Sequence, residues 1–208
     1  KGVTAFNQAA KKVASYVNKK GTVIVAAAGN FSFDLNGTNG VVPADLPQVI
    51  GVSATAIRHS PNLKPLDPKL PFEPLYPRDD AYDELAWYSN FGASGVTVTA
   101  PGGDCGPDCD PEGSNPESDE PPPGYDSRYQ IKSTAVVLAS CWNQTNSCCK
   151  NAACTEAPLA WGGTSMATPH VAGVIGLVRA ANPELTPNQV EALIKTTADD
   201  LGDHQLFG

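Results

Sequence analysis

The sequence predicts an α/β fold built around a mostly parallel β-sheet, and three observations lead there. An amphipathic helical stretch at residues 4–19 is followed at once by a continuous apolar run at 22–28. Two more apolar runs of strand length occupy 48–55 and 96–100. Two further helical stretches fall near the C-terminal end, at 168–181 and about 186–197. A helix feeding a strand with no polar interruption is half of a βαβ unit, and such units build parallel sheets covered on both faces.

Each element has its own local reason. In 4–19, Phe6, Ala10, Val13, Ala14 and Val17 share one helical face, Lys11, Lys12, Lys19 and Lys20 lie elsewhere, and Gly21 ends the helix. The run at 22–28 is rich in Val and Ile, as expected of a strand buried on both faces. Residues 136–140 are a fourth strand candidate. The helix at 168–181 stops before Asn182-Pro183, where the chain can no longer continue it. The last helix has Thr186 as its N-cap and Pro187 in its first turn. Two segments interrupt this order. Residues 58–84 hold six prolines, and 102–130 hold Pro121-Pro122-Pro123 with eight of the 22 acids. Both have few apolar side chains to bury and read as surface excursions. With 208 residues and no internal repeat, the chain reads as one domain.

The net charge of −8 and pI near 4.7 argue against nucleic acid or an anionic membrane as partner. No apolar run reaches the length of a membrane span, and residues 1–20 are basic and amphipathic, unlike a signal peptide. The acidity is local. Residues 79–127 contain 12 Asp and Glu and no Lys or Arg, so the rest of the chain is about +4 by difference. Six cysteines, at 105, 109, 141, 148, 149 and 154, fall within one 50-residue region. Zinc and disulfides compete for them. Cys148 and Cys149 are adjacent, no histidine interleaves, and the spacing fits no zinc frame. Up to three disulfides are therefore expected, with fifteen pairings open. Disulfides need an oxidising compartment, so a secreted protein is expected.

Residues 162–173 read Gly-Gly-Thr-Ser-Met-Ala-Thr-Pro-His-Val-Ala-Gly. Small, turning residues lead into an apolar helix, with Ser165 at the junction. A serine there is placed as a nucleophile, because a helix N-terminus favours the negative charge that develops nearby. An α/β-hydrolase elbow would need glycine two residues after the serine, where this chain has Ala167. Gly163-Thr164-Ser165-Met166-Ala167, Pro169-His170 and Ala172-Gly173 together resemble the serine motif of the subtilisin-like serine proteases.

A second stretch, Val23-Ile24-Val25-Ala26-Ala27-Ala28-Gly29-Asn30, carries an amide side chain to the C-terminal end of a strand, the sheet edge where ligands bind. An amide N–H there can donate to the oxyanion of a tetrahedral intermediate. The stretch resembles the family's oxyanion motif, which implies that role for Asn30. Ala27, Ala28 and Gly29 would line the pocket for the residue before the cut bond, their small size leaving room for a large apolar side chain, with Phe31 adding apolar surface. Val42-Pro43-Ala44 with Leu46-Pro47-Gln48-Val49-Ile50-Gly51-Val52 is similar to the following loop and strand. Ser89-Asn90-Phe91-Gly92 with Val98-Thr99-Ala100-Pro101-Gly102 is similar to the turn and strand before the serine. Leu201-Gly202-Asp203 onward is similar to the closing hairpin. The resemblance covers 4–57, 86–103 and 160–208, in order. It implies a three-layer, subtilisin-like α/β fold, incomplete, with residues 1–208 as the C-terminal part of a catalytic domain carrying irregular insertions at about 58–84 and 104–159.

The resemblance further implies a serine endopeptidase acting on proteins or peptides through an acyl-enzyme. A serine hydroxyl needs a base, and the base an orienting carboxylate. In this family both precede the oxyanion strand, in the order Asp, His, Ser. The 29 residues before Asn30 hold neither a histidine nor an acid. The base and its carboxylate are thus expected outside this sequence, in the N-terminal part of the same catalytic domain as partner, and the chain alone is expected to be inactive. The alternatives are a non-catalytic peptide-binding relative or an inactive fragment, and His59 as an unusual base. His170 resembles the family's structural histidine, and His59 and His204 read as surface residues. No cofactor is needed for the chemistry and no catalytic metal is expected. The resemblance also implies a structural calcium ion, because the stretch with the carbonyls of Ala44, Leu46 and Val49 is similar to a cation loop of the family. The acids at 104–126 fit no EF-hand frame and read as a solvated loop. Asn36-Gly37-Thr38 and Asn143-Gln144-Thr145 are glycosylation sequons. Asn30-Phe31-Ser32 also fits the pattern, but an oxyanion donor could not carry a glycan.

Overall fold

Strand β2, Val49–His59, organises the molecule in the computed structural model, which describes residues 2–37, 40–59, 81–104, 106, 130–138 and 154–201. Strand β1, Ile24–Ala27, runs parallel along one edge of β2, with Ile24 opposite Val49 and Ala27 opposite Val52. Beyond its end, β3, Ala81–Leu85, takes over antiparallel to the second half of β2, pairing Thr55 with Leu85 and His59 with Ala81. Strand β4, Val98–Pro101, is parallel on the opposite edge, with Val52 opposite Val98. Backbone parity fixes the edges: the Val52 carbonyl accepts from Ala28, and the Thr55 carbonyl, an odd number of residues on, accepts from Gly102. A separate antiparallel ribbon joins β5, Ile131–Leu138, to β6, Cys154–Trp161.

The period-2 alternation of β2 divides the core between two faces. Ile50, Val52, Ala54 and Ala56 pack against α2, Thr164–Ala181, and α3, Pro187–Thr197, meeting Ala167, Val171 and Ile175 of the first and Val190 and Ile194 of the second. Val49 turns the other way and joins Ala26, Leu46 and Ala44 beneath Ala14 of α1, Gly2–Lys19. The result is helix, sheet, helices: three layers, as the resemblance implied. Ile50, Val52 and Val190 are essentially inaccessible, and each such side chain contributes roughly 1.5–3 kcal/mol from burial.

Helix α3 starts where its sequence says it should. Thr186 Oγ1 accepts from the Gln189 amide, and the Gln189 side chain accepts from the Thr186 amide, closing a capping box with Pro187 in the first turn. Helix α2 starts earlier than expected, at Thr164 instead of 168, so Ser165 lies inside the first turn.

Other expectations change more. The apolar face of α1 is only partly used: Ala14 is buried, whereas Phe6 and Val13 are 63% and 61% exposed. Strand β1 has neighbours on both faces, Ile24 and Ala26 on the side of α1 and Val25 on the side of α2, but only Ala26 of its four residues is fully buried. Helix α2 is apolar almost all round, but it packs on the core through the buried stripe Thr164, Ala167, Val171 and Ile175 with Val178 partly buried, leaving Val174 and Leu177 open. The two insertions contain strands. β2 runs on to His59, β3 begins within 58–84, and 104–159 contains β5, which overlaps the strand candidate at 136–140, and most of β6. Glu156 and Pro158 in β6 break the strand pattern at sequence level, and a two-stranded ribbon tolerates both. The disulfide expectation lies outside the described residues: only Cys154 has a described backbone position, on β6. His204, the closing hairpin and the sequon at 143–145 lie outside them too. Among the described residues, no helix is long and apolar enough to cross a membrane.

Candidate active site

The parallel edge of β1 and β2 ends where the two motifs meet. Ala28 continues the ladder by donating to the Val52 carbonyl at 2.9 Å, and its methyl is buried with Leu35 and Val96. Ala28 therefore faces the core, while Ala27 and Gly29 are half-buried beside it. At Gly29 the chain takes φ +102°, a conformation open to glycine at no steric cost. That turn lifts Asn30 out to an exposed position.

Thr164, the residue before Ser165, ties the two motifs together. Its backbone N–H and its hydroxyl both donate to Asn30 Oδ1, at 2.9 and 2.8 Å. The same hydroxyl accepts from the Gly29 N–H at 3.1 Å. Two donors on one oxygen fix which way the Asn30 amide points. Oδ1 faces the buried threonine, and Nδ2 is left as the outward donor. The approach is close: a Cβ on Gly163 would sit 3.3 Å from Asn30 Nδ2. Gly163 is itself anchored, donating to the Gly102 carbonyl at 2.9 Å. The amide of Asn30 and the first turn of α2 are thus locked to each other across 134 residues of sequence.

Ser165 is exposed in that first turn, which contains no acidic residue. Its surroundings are positive in character, because the N–H groups of a helix start have no partners within the helix. Four residues on, Pro169 lacks the N–H that Ser165 O would receive. Neighbouring side chains cover adjacent carbonyls instead: the Thr168 hydroxyl donates to Thr164 O, and His170 Nδ1 donates to Met166 O, both at 2.8 Å. His170 is therefore engaged on its own helix. Five residues from Ser165, it also lies about 140° round the helix axis, so it is not placed to take the serine proton. His59 closes β2 opposite Ala81.

Beneath Gly163, Tyr88 donates to the Gly103 carbonyl at 2.6 Å. Burial, and then the negative charge of Asp104, push its phenol well above the ordinary range, so it stays neutral. At the surface beside Asn30, Phe31 stacks on Phe33 with centroids 5.6 Å apart, and Trp87 is also exposed. Thr164 and Tyr88 do not stand out as site residues in the sequence, and Asn90 stands there only as part of a turn. What distinguishes them is burial and partner choice, which no local pattern reveals. Among the described residues there is no group of three or more His, Cys, Asp or Glu placed to hold a metal.

The sequence profile of the subtilase family matches residues 1–208. An extracellular protease of Xanthomonas campestris is 32% identical over 180 residues, 86% of this chain and 20% of that protein. A thermostable alkaline protease of Halalkalibacterium halodurans is 54% identical over 46 residues, 22% of this chain and 13% of that protein. The chain thus spans a small part of the length of these relatives. Among solved structures, a lanthipeptide protease shares the fold with TM-score 0.61 and 21% identity, over 99% of this chain and 52% of that one. Fervidolysin from Fervidobacterium pennivorans does so with TM-score 0.57 and 23% identity, over 95% and 22%.

Proposed function

The chain belongs to the subtilase family, and from that premise we propose that it carries the nucleophile and the oxyanion donor of a secreted serine endopeptidase. The observation that carries the reading is the double hydrogen bond from Thr164 to Asn30 Oδ1, which leaves Nδ2 as a donor beside the helix turn of Ser165. In the proposed reaction Ser165 Oγ attacks the carbonyl carbon of a peptide bond and gives its proton to a histidine base. The carbonyl oxygen becomes an oxyanion, met by Asn30 Nδ2 and the N-terminal turn of α2. The C–N bond breaks as the base returns the proton to the leaving amine. Water then attacks the acyl-enzyme, releasing the acid and restoring Ser165.

The base and its carboxylate belong to residues outside this sequence, in the N-terminal part of the same catalytic domain, which is the partner this chain requires. Residues 1–208 are then the C-terminal part of that domain, with insertions at about 58–84 and 104–159. Ala27, Gly29 and the backbone at Ala28, with Phe31, form the pocket for a large apolar side chain before the cut bond. A buried Oδ1 of Asp45 with no hydrogen-bond partner supports a structural calcium ion at the loop 42–49, where the carbonyls of Ala44, Leu46 and Val49 are the further ligands that the family resemblance implies. Such an ion would brace the loop and take no part in the chemistry.

A phosphonyl fluoride probe tests the reading. In the full-length protein it is expected to label Ser165, and Ser165→Ala is expected to abolish both labelling and peptide hydrolysis. Residues 1–208 alone are expected to remain unlabelled. Hydrolysis that survives Ser165→Ala would remove the serine from the reaction. A full-length protein that neither labels nor hydrolyses peptides would make the chain a peptide-binding relative.

A further inference from the structure

The segment that presents Asn30 is gripped by one buried side chain to which neither motif points. Asn90 is inaccessible to solvent. Its Nδ2 donates to the Ala28 carbonyl at 2.7 Å. Its Oδ1 accepts from the Phe31 and Phe33 amides, both at 3.0 Å. Its backbone N–H donates to the Gly29 carbonyl at 2.9 Å. These four bonds reach residues on both sides of Asn30 and leave Asn30 itself untouched. Asn90 is held in turn from the sheet: the Ser53 hydroxyl of β2 donates to its carbonyl at 2.7 Å, and that of Ser89 at 3.0 Å. Even the glycine at 29 is explained by this contact, since a Cβ there would come within 2.6 Å of Asn90 Nδ2.

We infer that Asn90 is a positioning residue for the reaction: it sets the height of the 28–33 backbone over the sheet, so that Asn30 Nδ2 stands where the oxyanion forms. The side chain suits the task chemically. An amide offers a donor and an acceptor on one planar group, which matches a strand end that presents a carbonyl at residue 28 and N–H groups at 31 and 33. A carboxylate would keep the two accepted bonds, but it would lose the donated one and bring a charge into a buried place. The grip is also divided in a useful way. Thr164 orients the Asn30 side chain, and Asn90 fixes the backbone that carries it.

This inference rests on the proposed role of Asn30, and the test separates the two. In the full-length enzyme, kcat and KM for a peptide substrate are measured for Asn30→Ala, Asn90→Ala and the double variant. Asn30→Ala is expected to lower kcat about 10²–10³-fold, the general cost of one oxyanion donor, for which a subtilisin is the standard example. Asn90→Ala is expected to lower kcat about ten- to a hundredfold with KM within about twofold, as displacement of a catalytic group does. In the Asn30→Ala background the same change is expected to cost less than about twofold, because the donor it positions is gone. An unchanged kcat for Asn90→Ala overturns the inference, and so does an equal loss in both backgrounds, which would be a general structural effect. If Asn30→Ala itself has no effect, the oxyanion assignment fails first. Should Asn90→Ala not fold, Asn90→Asp, which keeps the acceptor half, is taken through the same cycle with the same criteria. If neither folds, Asn90 serves folding alone and the inference is wrong.

Discussion

The two halves of the candidate site are held by different forces. The loop at 28–33, which carries Asn30, is fastened by polar groups: Thr164 and Asn90 make most of its side-chain bonds, the Ser32 hydroxyl donates to the Trp87 carbonyl, and little apolar surface secures Asn30 itself. Helix α2, which carries Ser165, is fastened by apolar contact of Ala167, Val171 and Ile175 with β2 and its neighbours. Polar fastening is directional and short in range, so it fixes where one atom points. Apolar packing is not directional, and it fixes where a whole element lies. A donor aimed at a transient charge calls for the first, and a helix whose N-terminus must face a cleft calls for the second.

Damage to the two halves should therefore read out differently. The largest effect on stability is expected at Ile175, buried at the sheet interface of α2. Ile175→Ala should cost about 2–5 kcal/mol in denaturant unfolding, through lost burial and the cavity left behind. A cost below about 1 kcal/mol would show that α2 is not held by this stripe. Thr164→Val comes next. It keeps the volume but removes the hydroxyl shared by Gly29 and Asn30, at a cost of about 1–3 kcal/mol in stability for the partners left behind. The full-length enzyme is also expected to lose about tenfold in kcat as the amide of Asn30 loosens. Unaltered kcat would mean that the backbone N–H of Thr164 is enough to orient Asn30.

The smallest effect lies away from both halves. Burial, and then the charge of Asp199, raise the carboxyl of Asp83 above its usual 3.8. The folded state thus binds this proton more tightly than the unfolded chain does. The stability it contributes is complete below pH 3.8 and is lost as pH rises through the raised value. Asp83→Asn should stabilise the protein at neutral pH, by no more than about 0.5 kcal/mol because the pair is partly screened by solvent. It should also flatten the pH dependence of unfolding upward from about pH 4. A variant less stable than the parent at pH 7 would contradict this.

Much of this was legible before any coordinates. The run at 22–28, the Thr186 cap and the helix after Ser165 rest on local rules of periodicity and capping, and all three elements form. What was harder to read shares a cause. The amphipathic face of α1 and the apolar α2 show which residues could be buried, not how much of each face finds a neighbour; hence the exposed Phe6, Val13 and Leu177. Strand β6 carries Pro158 and Glu156, which mask its pattern, and its pairing with β5 is a long-range event.

By itself the sequence determined the family, the nucleophile candidate Ser165 and the donor candidate Asn30, because each sits in a contiguous run whose residue types serve one kind of chemistry. Only the tertiary structure decided how the two are coupled. Thr164 meets Asn30 from 134 residues away, and Asn90 reaches back 62 residues to Ala28. A serine or an asparagine in a buried turn looks ordinary in a string of letters. Its partners are chosen by the parallel pairing of β1, β2 and β4, which brings distant segments to one edge, and by the cost of leaving any buried polar group without a bond.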